Sequence, residues 1–360
     1  MTTAAAEVTT FGVEEEFLLA DPTTGRTVPA APEVLKVARE LPGGAVHAEL
    51  QQTQVEAATS PCATLGELEH QLRQGRTRLS AAAQSCGVWL VPSGTPPLGG
   101  PALPSDGERF AGIAGRYAEV VRDYQACGCH VHVAVPDLET AVAVCNHLRP
   151  WLPALLALSV NSPFHHGLDT GYASWRMVEQ ARFPGAGVPP RCRDAADHTA
   201  RVRRLVDCGV IEDAAMTFWL VRPSPSWPTV EFRVADVGVD VPAALLQAAL
   251  SRALVVTALA DLERGAEAPE LDDQVLAAAV WTAARYGLDG PAVHPVRGCR
   301  VPVTELLDEL VVRVAPALAG DLAVVRELFR GVLRGGTGAE RQRAARNVVR
   351  TLAIGVSDED

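Results

Sequence analysis

The chain has 360 residues, 48% hydrophobic and 21% charged, a globular composition long enough for one large domain or two ordinary ones. Its 32 basic and 43 acidic residues leave a formal charge of −11, which argues against holding nucleic acid through bulk electrostatics. Lys36 is the only lysine and lies in the helix-like turn Glu33–Glu40; a P-loop, a protein kinase, a Schiff-base enzyme and pyridoxal-phosphate catalysis all need a lysine in a built site, so none of them fits.

The segment Met1–Thr10 has no basic start and no apolar core, so it does not read as a signal peptide. Val8–Ala20 reads as a strand interrupted by three glutamates, and Val46–Ser60 as one or two more, closed by Pro61. Thr64 with Glu67 forms a capping box that opens a helix running to about Ser85. A short strand over Gly87–Ser93, a Gly/Pro loop to Pro101 and a helix from about Arg109 to Gln125 follow. Cys127–Val135 alternates strictly and is the clearest strand. Leu138–Leu158 reads as a long helix kinked near Pro150 and Pro153. Residues 160–192 are an irregular Gly/Pro/aromatic stretch, of the kind that in a compact domain usually carries function. Met216–Val221 and Thr229–Asp236 pair as strands, and everything from Pro242 onward reads as helix: about 242–263, 271–286, 303–315, 320–334 and 339–353.

No GxGxxG turn announces a doubly wound sheet. The order of elements predicts an α+β fold, a mostly antiparallel sheet in one domain over residues 1–360 with the helical tail (about 242–355) packed on it. No apolar run of bilayer length stands outside amphipathic helix patterns, so no membrane span is expected. Eight cysteines (62, 86, 127, 129, 145, 192, 208 and 299) are spaced without a repeated CxxC and read as reduced thiols of a cytoplasmic protein.

Strand parity sorts the chemistry. Side chains alternate across a sheet, so Glu14 and Glu16 share one face, His130 and His132 share one face, and Glu231 and Arg233 share one face, with Val230, Phe232 and Val234 opposite. A single Glu-x-Glu strand is more often a solvated sheet face, and a single Glu-x-Arg pair is usually a weak surface ion pair. Three such pairs in one sheet beside a long irregular loop favour a site, because buried groups of this kind must neutralise one another or hold a cation. Glu49 and Glu56 are seven apart and reach one site only if a bulge or turn lies between them. Cys127 and Cys129 take the opposite parity from the histidines, which argues against a thiolate zinc site. Carboxylates with an imidazole suit Mg²⁺ or Mn²⁺ instead. From the residues alone the chemistry is metal-assisted phosphoryl transfer, with an arginine stabilising charge on the phosphoryl group.

Phe11–Phe17, Glu49…Glu56-Ala57-Ala58-Thr59, Cys127–Val133, Asn161–Phe164 with Asp169–Ser174 and Arg176, and Pro228–Asp236 follow one another in an order that resembles the YbdK-type carboxylate–amine ligases, in the glutamate–cysteine ligase type 2 group. The resemblance extends to Ala283–Gly290 in the helical tail and so covers essentially the whole chain. It implies a glutamine-synthetase-like open antiparallel sheet with helices on its outer face, binding ATP and two or three Mg²⁺ (or Mn²⁺) on its concave face. It implies that ATP phosphorylates a carboxylate, typically that of glutamate, and that an amine, by default cysteine, attacks the acyl phosphate. By motif position Glu14, Glu16, Glu49, Glu56, His130 and Glu231 would be the metal shell, Arg233 and Glu231 the catalytic pair, and Asn161, Ser162, Thr170, Tyr172 and Arg176 the substrate contacts, with His132 and Arg222 as additional candidates. The preference for His130 over His132 rests on the resemblance. So does compatibility with a homodimer; the partners implied are a small carboxylate and a small amine. The chain departs from the family pattern at Leu220, where an acidic residue is frequent, at Ala235, where a cysteine is frequent, and at Cys129, where a larger apolar residue is usual. Around Ala278–Trp281 the usual polar residues are Ala and Val. These departures are expected to mark a changed substrate wall. The competing readings are a metal-dependent amide hydrolase, separable by its independence of ATP, and a non-catalytic metal- or nucleotide-binding relative.

Overall fold

The computed structural model describes residues 9–356. The start of the strand expected from Val8 and most of the Met1–Thr10 segment lie outside the described residues. Strand β1 (Phe11–Ala20) leads into helix α1 (Ala31–Glu40), the strands β2 (Ala45–Ala48) and β3 (Gln54–Ala58), helix α2 (Leu65–Ser85) and the short β4 (Trp89–Val91). Next come α3 (Glu108–Tyr117), α4 (Glu119–Arg122), β5 (Gly128–Ala134), α5 (Leu138–Leu148) and α6 (Leu152–Ser159). The 160–192 stretch holds a small hairpin, β6 (Phe164–His165) and β7 (Leu168–Asp169), then α7 (Trp175–Gln180). Helix α8 (Ala195–Asp207) and the strands β8 (Val221–Pro223) and β9 (Thr229–Asp236) follow.

The expected capping box is present: Glu67 N donates to Thr64 Oγ1 (3.2 Å) and Thr64 N to the Glu67 carboxylate (3.3 Å). The 138–158 helix breaks where its prolines sit, at a 3₁₀ turn over Arg149–Trp151. The helix expected over Arg109–Gln125 is instead two pieces, because Ala118 adopts φ +46° and interrupts the hydrogen-bond ladder. The strand expected from Met216 is confined to Val221–Pro223, since Ala214–Met216 close a 3₁₀ turn. Helix α8 has no counterpart among the sequence-based expectations.

The tail is α9 (Val241–Glu263), α10 (Asp273–Tyr286), α11 (Val303–Leu318), α12 (Leu322–Gly335), α13 (Gly338–Ala344) and α14 (Val348–Leu352). It is not wholly helical: β10 (Pro291–His294) and β11 (Cys299–Pro302) form a hairpin whose turn is closed by Gly298 at φ +62°. Two helical stretches, Leu138–Ser159 and Val241–Glu263, are long and apolar enough to cross a bilayer, which the amphipathic reading did not foresee. Their apolar windows are 83% and 67% buried, and α9 is apolar all round because it packs against α2, α5, α6, α11, α12 and the sheet.

The principal sheet has the order β2-β3-β1-β5-β9-β8, and β4 continues along the end of β1. Its strand pairs are all antiparallel. One face carries Phe11, Val13, Cys129, Val131, Val133, Val230, Phe232 and Val234, which pack with Leu148, Leu155, Leu245 and Leu246 of the covering helices in one buried cluster. Burying a side chain such as Phe232 there contributes about 1.5–3 kcal/mol. The other face of the same strands is polar, and the site is built on it.

Candidate active site

Antiparallel register turns the parity of single strands into neighbouring side chains. Glu14 lies opposite His130 across β1–β5, Glu16 opposite Glu56 across β1–β3, His132 opposite Glu231 across β5–β9, and Arg222 opposite Glu231 across β8–β9. Directly opposed residues have their Cβ atoms about 4.5–5.5 Å apart, so one row of acidic, imidazole and guanidinium groups crosses five strands. Glu49 joins from the end of β2, because the Gln51–Gln54 turn, in which Gln54 N donates to Gln51 O (3.0 Å), reverses the chain before Glu56. That turn resolves the seven-residue spacing.

Two overlapping trios bring ligand atoms within 4.8 Å of one another: Glu14, Glu56 and His130, and Glu16, Glu49 and Glu56. Burial, with the neighbouring Glu16 charge, pushes Glu49 up to about 8, and burial with the charges of Glu49, Glu14 and Glu16 raises Glu56 strongly. Glu14 is held well below the usual carboxylate range by His130 and His132, which outweigh its own desolvation. Burial lowers His130, so its imidazole is neutral and free to donate a lone pair. Its Nδ1 lies 3.6 Å from Glu14 and its Nε2 3.8 Å from Glu16, and that buried Nε2 has no hydrogen-bond partner. A hard oxygen-rich set with one neutral imidazole and an orphaned nitrogen fits a divalent cation such as Mg²⁺ or Mn²⁺. His132 places Nδ1 2.9 Å from Thr229 Oγ1, while its Nε2 lies 3.5 Å from Glu14 Oε1 and is likewise without a hydrogen-bond partner.

Glu231 has a different neighbourhood. Arg222 clasps it through Nε to Oε2 (2.8 Å) and Nη2 to Oε1 (3.1 Å), and Arg233 Nη1 donates to Oε1 (2.5 Å). Burial raises and the two guanidinium groups lower its pKa; the net shift is strongly downward, leaving it ionised. Oε1 accepts twice and is saturated, while Oε2 accepts once and keeps a lone pair for a cation. Arg222 is itself tied to the carbonyls of Ala215 (2.8 Å) and Thr217 (2.6 Å). Arg233 lies over the Phe218 ring at 5.4 Å, with its Nε unpartnered.

A cavity of about 220 Å³ opens over this row, lined by Glu14, Glu16, Glu49, Glu56, His130, Arg176, Arg222 and Arg233 among others, while Glu231 and His132 lie outside its lining, Glu231 beneath the two arginines. Of the five residues expected to touch substrate, only Arg176 lines it. Asn161 and Ser162 are buried in hydrogen bonds to Pro92 O, Val237 O and the Asp236 carboxylate. Thr170 Oγ1 donates to Pro163 O, and the Tyr172 hydroxyl lies 3.2 Å from Trp281 Nε1, away from the cavity. Leu220, Ala235 and Cys129, expected in the substrate wall, are buried in the helix-side core instead. Sequence reasoning missed the cavity's other walls. Arg109, Phe110 and Ile113 come from α3, Tyr124 and Gln180 from loop and helix ends, and Met216 and Phe218 from the segment before β8. None of these lies in an alternating strand, so parity gave no signal for them.

With this geometry in view, the comparisons are specific. The family described as glutamate–cysteine ligase family 2 matches residues 10–357. A protein of Saccharopolyspora erythraea provisionally named glutamate–cysteine ligase 2-2 is 56% identical over 359 residues, covering 96% of this chain and 91% of its own. One of Salinispora arenicola, provisionally named glutamate–cysteine ligase 2, is 44% identical and covers 93% and 89%. The crystal structure of the Francisella tularensis glutamate–cysteine ligase in complex with AMP superposes with a TM-score of 0.67 at 14% identity, covering 96% of this chain and 86% of that one. The chain therefore belongs to glutamate–cysteine ligase family 2. It is an enzyme of the carbon–nitrogen ligase class, which joins a carboxylate to an amine.

Proposed function

We propose that the chain couples ATP hydrolysis to amide formation through an acyl phosphate, with Mg²⁺ as cofactor, glutamate as default carboxylate and cysteine as default amine. The observation that carries this reading is the opposition, in one cavity, of a carboxylate quartet (Glu14, Glu16, Glu49, Glu56) to two guanidinium groups with unpartnered N–H donors (Arg176, Arg233). Such a site has partners for cations and for phosphate oxygens together. The family's name supplies the default substrates. Eight free cysteines support a reducing, cytoplasmic setting.

Glu14, Glu16, Glu49, Glu56 and His130, with the free lone pair of Glu231 Oε2, would hold two or three Mg²⁺ or Mn²⁺ ions, which when bound supply charge neutralisation for the triphosphate. A carboxylate oxygen attacks the γ-phosphorus, the bond to the β–γ bridging oxygen breaks, and ADP leaves. The amine then attacks the acyl carbon, loses a proton, and phosphate departs with the acyl oxygen. Arg233, fixed between Glu231 and Phe218, presents a planar fork to the phosphoryl group in flight. Arg222 keeps Glu231 in place for both partners.

The test is ADP release from MgATP with L-glutamate and L-cysteine, singly and together. Turnover that requires both is expected. ATP-independent cleavage of γ-glutamyl amides with no ADP formed from any carboxylate–amine pair would overturn the ligase chemistry in favour of the hydrolase. Arg233→Lys is expected to lower turnover by about a hundredfold, because a point charge does not reproduce the fork; near-normal rates would make Arg233 structural.

A further inference from the structure

The Asp236 carboxylate is fully buried at the end of β9 and is not part of the cavity wall. Its Oδ2 accepts from Asn161 N (2.8 Å) and Ser162 Oγ (2.7 Å), and its Oδ1 accepts from Ser174 Oγ (2.8 Å). Burial raises its pKa while Arg176 and these donors oppose the rise. Three donors from one loop converging on one buried carboxylate would be ample for a structural pin. Arg176 adds something a pin does not need.

The Arg176 side chain is 1% exposed, with Nη1 3.9 Å from Asp236 Oδ1. Its backbone N donates to Ser162 Oγ (3.1 Å), and its Nη2 donates to Arg233 O (3.2 Å). Yet Nε and Nη1 have no hydrogen-bond partner, and the residue lines the cavity. A buried guanidinium with two idle donors is costly unless something accepts from them. Two glycines make room for the arrangement. A Cβ on Gly94 would lie 2.8 Å from Asp236 Cγ, and a Cβ on Gly128 would lie 2.9 Å from Arg176 Cζ and 3.0 Å from His130 Nε2. The closest atom to the added Gly128 carbon is the tip of Arg176, so a methyl there displaces the fork before it disturbs the strand.

We propose that Asp236, with Ser162 and Ser174, is a positioning residue that fixes Arg176 in the cradle of Gly128 through the Nη1 side, so that the idle Nε, on the edge it shares with Nη2, donates to a carboxylate of the substrate. Asp236 touches neither substrate nor cation; it acts through Arg176 alone. A planar fork held by a buried counter-charge loses no rotamer freedom when the ligand arrives, which is the usual source of tight carboxylate recognition.

This rests on the ligase reading, and the assay separates the two. Using MgATP-dependent ADP release with L-glutamate as the carboxylate probe and L-cysteine as the amine, no turnover by the unmodified enzyme would count against the ligase reading. With turnover established, Gly128→Ala is expected to raise the KM for L-glutamate roughly ten- to a hundredfold through displacement of Arg176, well beyond any rise in the KM for MgATP from the neighbouring His130 Nε2, with the melting temperature preserved. Asp236→Asn and Ser174→Ala should raise the same KM. In an Arg176→Ala background, Asp236→Asn and Gly128→Ala should add less than about twofold, since residues acting through one group are not additive. Full additivity there, or an unchanged KM in folded Gly128→Ala, would overturn the positioning role. Gly128→Ala and Ser174→Ala keep the question answerable should Asp236→Asn fail to fold.

Discussion

The two faces of β1 bury glutamates under opposite terms. On the helix face Glu15 accepts from Arg76 Nε (3.0 Å) and Nη2 (2.6 Å), while Nη2 also donates to Gly238 O (2.6 Å) and the guanidinium lies over Phe17. That charge is neutralised inside the chain. One residue on, Glu16 faces Glu49 and Glu56, and three carboxylates place ligand atoms within 4.8 Å of one another. The helix face is complete in itself, whereas the site face, under the proposed function, would be completed by cations. Adjacent residues of one strand thus divide folding from function.

The largest effect that tests this contrast is on the helix face. Arg76→Ala leaves Glu15 buried and unpaired and is expected to cost about 3–5 kcal/mol of stability, read from the denaturant midpoint; a loss under about 1 kcal/mol would mean that the pair is dispensable. The mirror experiment is Glu56→Gln, which removes the cost of protonating or charging a carboxyl group buried among its like. Metal-free Glu56→Gln should be more stable than the parent by about 1–2 kcal/mol, while Mg²⁺-dependent ADP release falls at least about a hundredfold. Lower stability together with retained turnover would put Glu56 on the same footing as Glu15. The smallest effect is in pH. Glu49 rises from the ordinary 4.5 to about 8 in the folded protein and Glu56 rises too. Both favour the protonated folded state, so the stability they allow is full below 4.5 and is lost as pH climbs through about 8. The melting temperature of chelated protein should fall across that window, and Mg²⁺ should flatten the slope; parallel slopes with and without Mg²⁺ would count against cation binding at these carboxylates.

Alternation made β1, β5 and β9 legible, and with them Glu14, Glu16, His130, Glu231 and Arg233 on one face, because a period of two is a local property of the sequence. The odd spacing of Glu49 and Glu56 left a bulge or a turn open, and the chain takes the turn. The roof was not legible. Arg109, Phe110, Tyr124 and Phe218 reach the cavity through a helix broken at Ala118 and through loops, and tertiary contacts rather than periodicity bring them there. The Asn161–Ser162 motif showed the converse: expected at the substrate, Asn161 gives its backbone N to Asp236 and its side chain to Pro92 O and Val237 O, and the Ser162 hydroxyl donates to Asp236, none of them to the cavity. The hairpin β10–β11 was absorbed into a helical tail because its four-residue strands are too short for alternation to outweigh their helical flanks.

Ile113, Tyr124 and Met216 of the roof join Phe183 and Ile211 behind it in a hydrophobic cluster of their own, separate from the two clusters that hold the sheet to its helices. On the ligase proposal, a lineage carrying this scaffold can exchange one amine or carboxylate for another by repacking this separate cluster, and keep the row of acidic side chains beneath it unchanged.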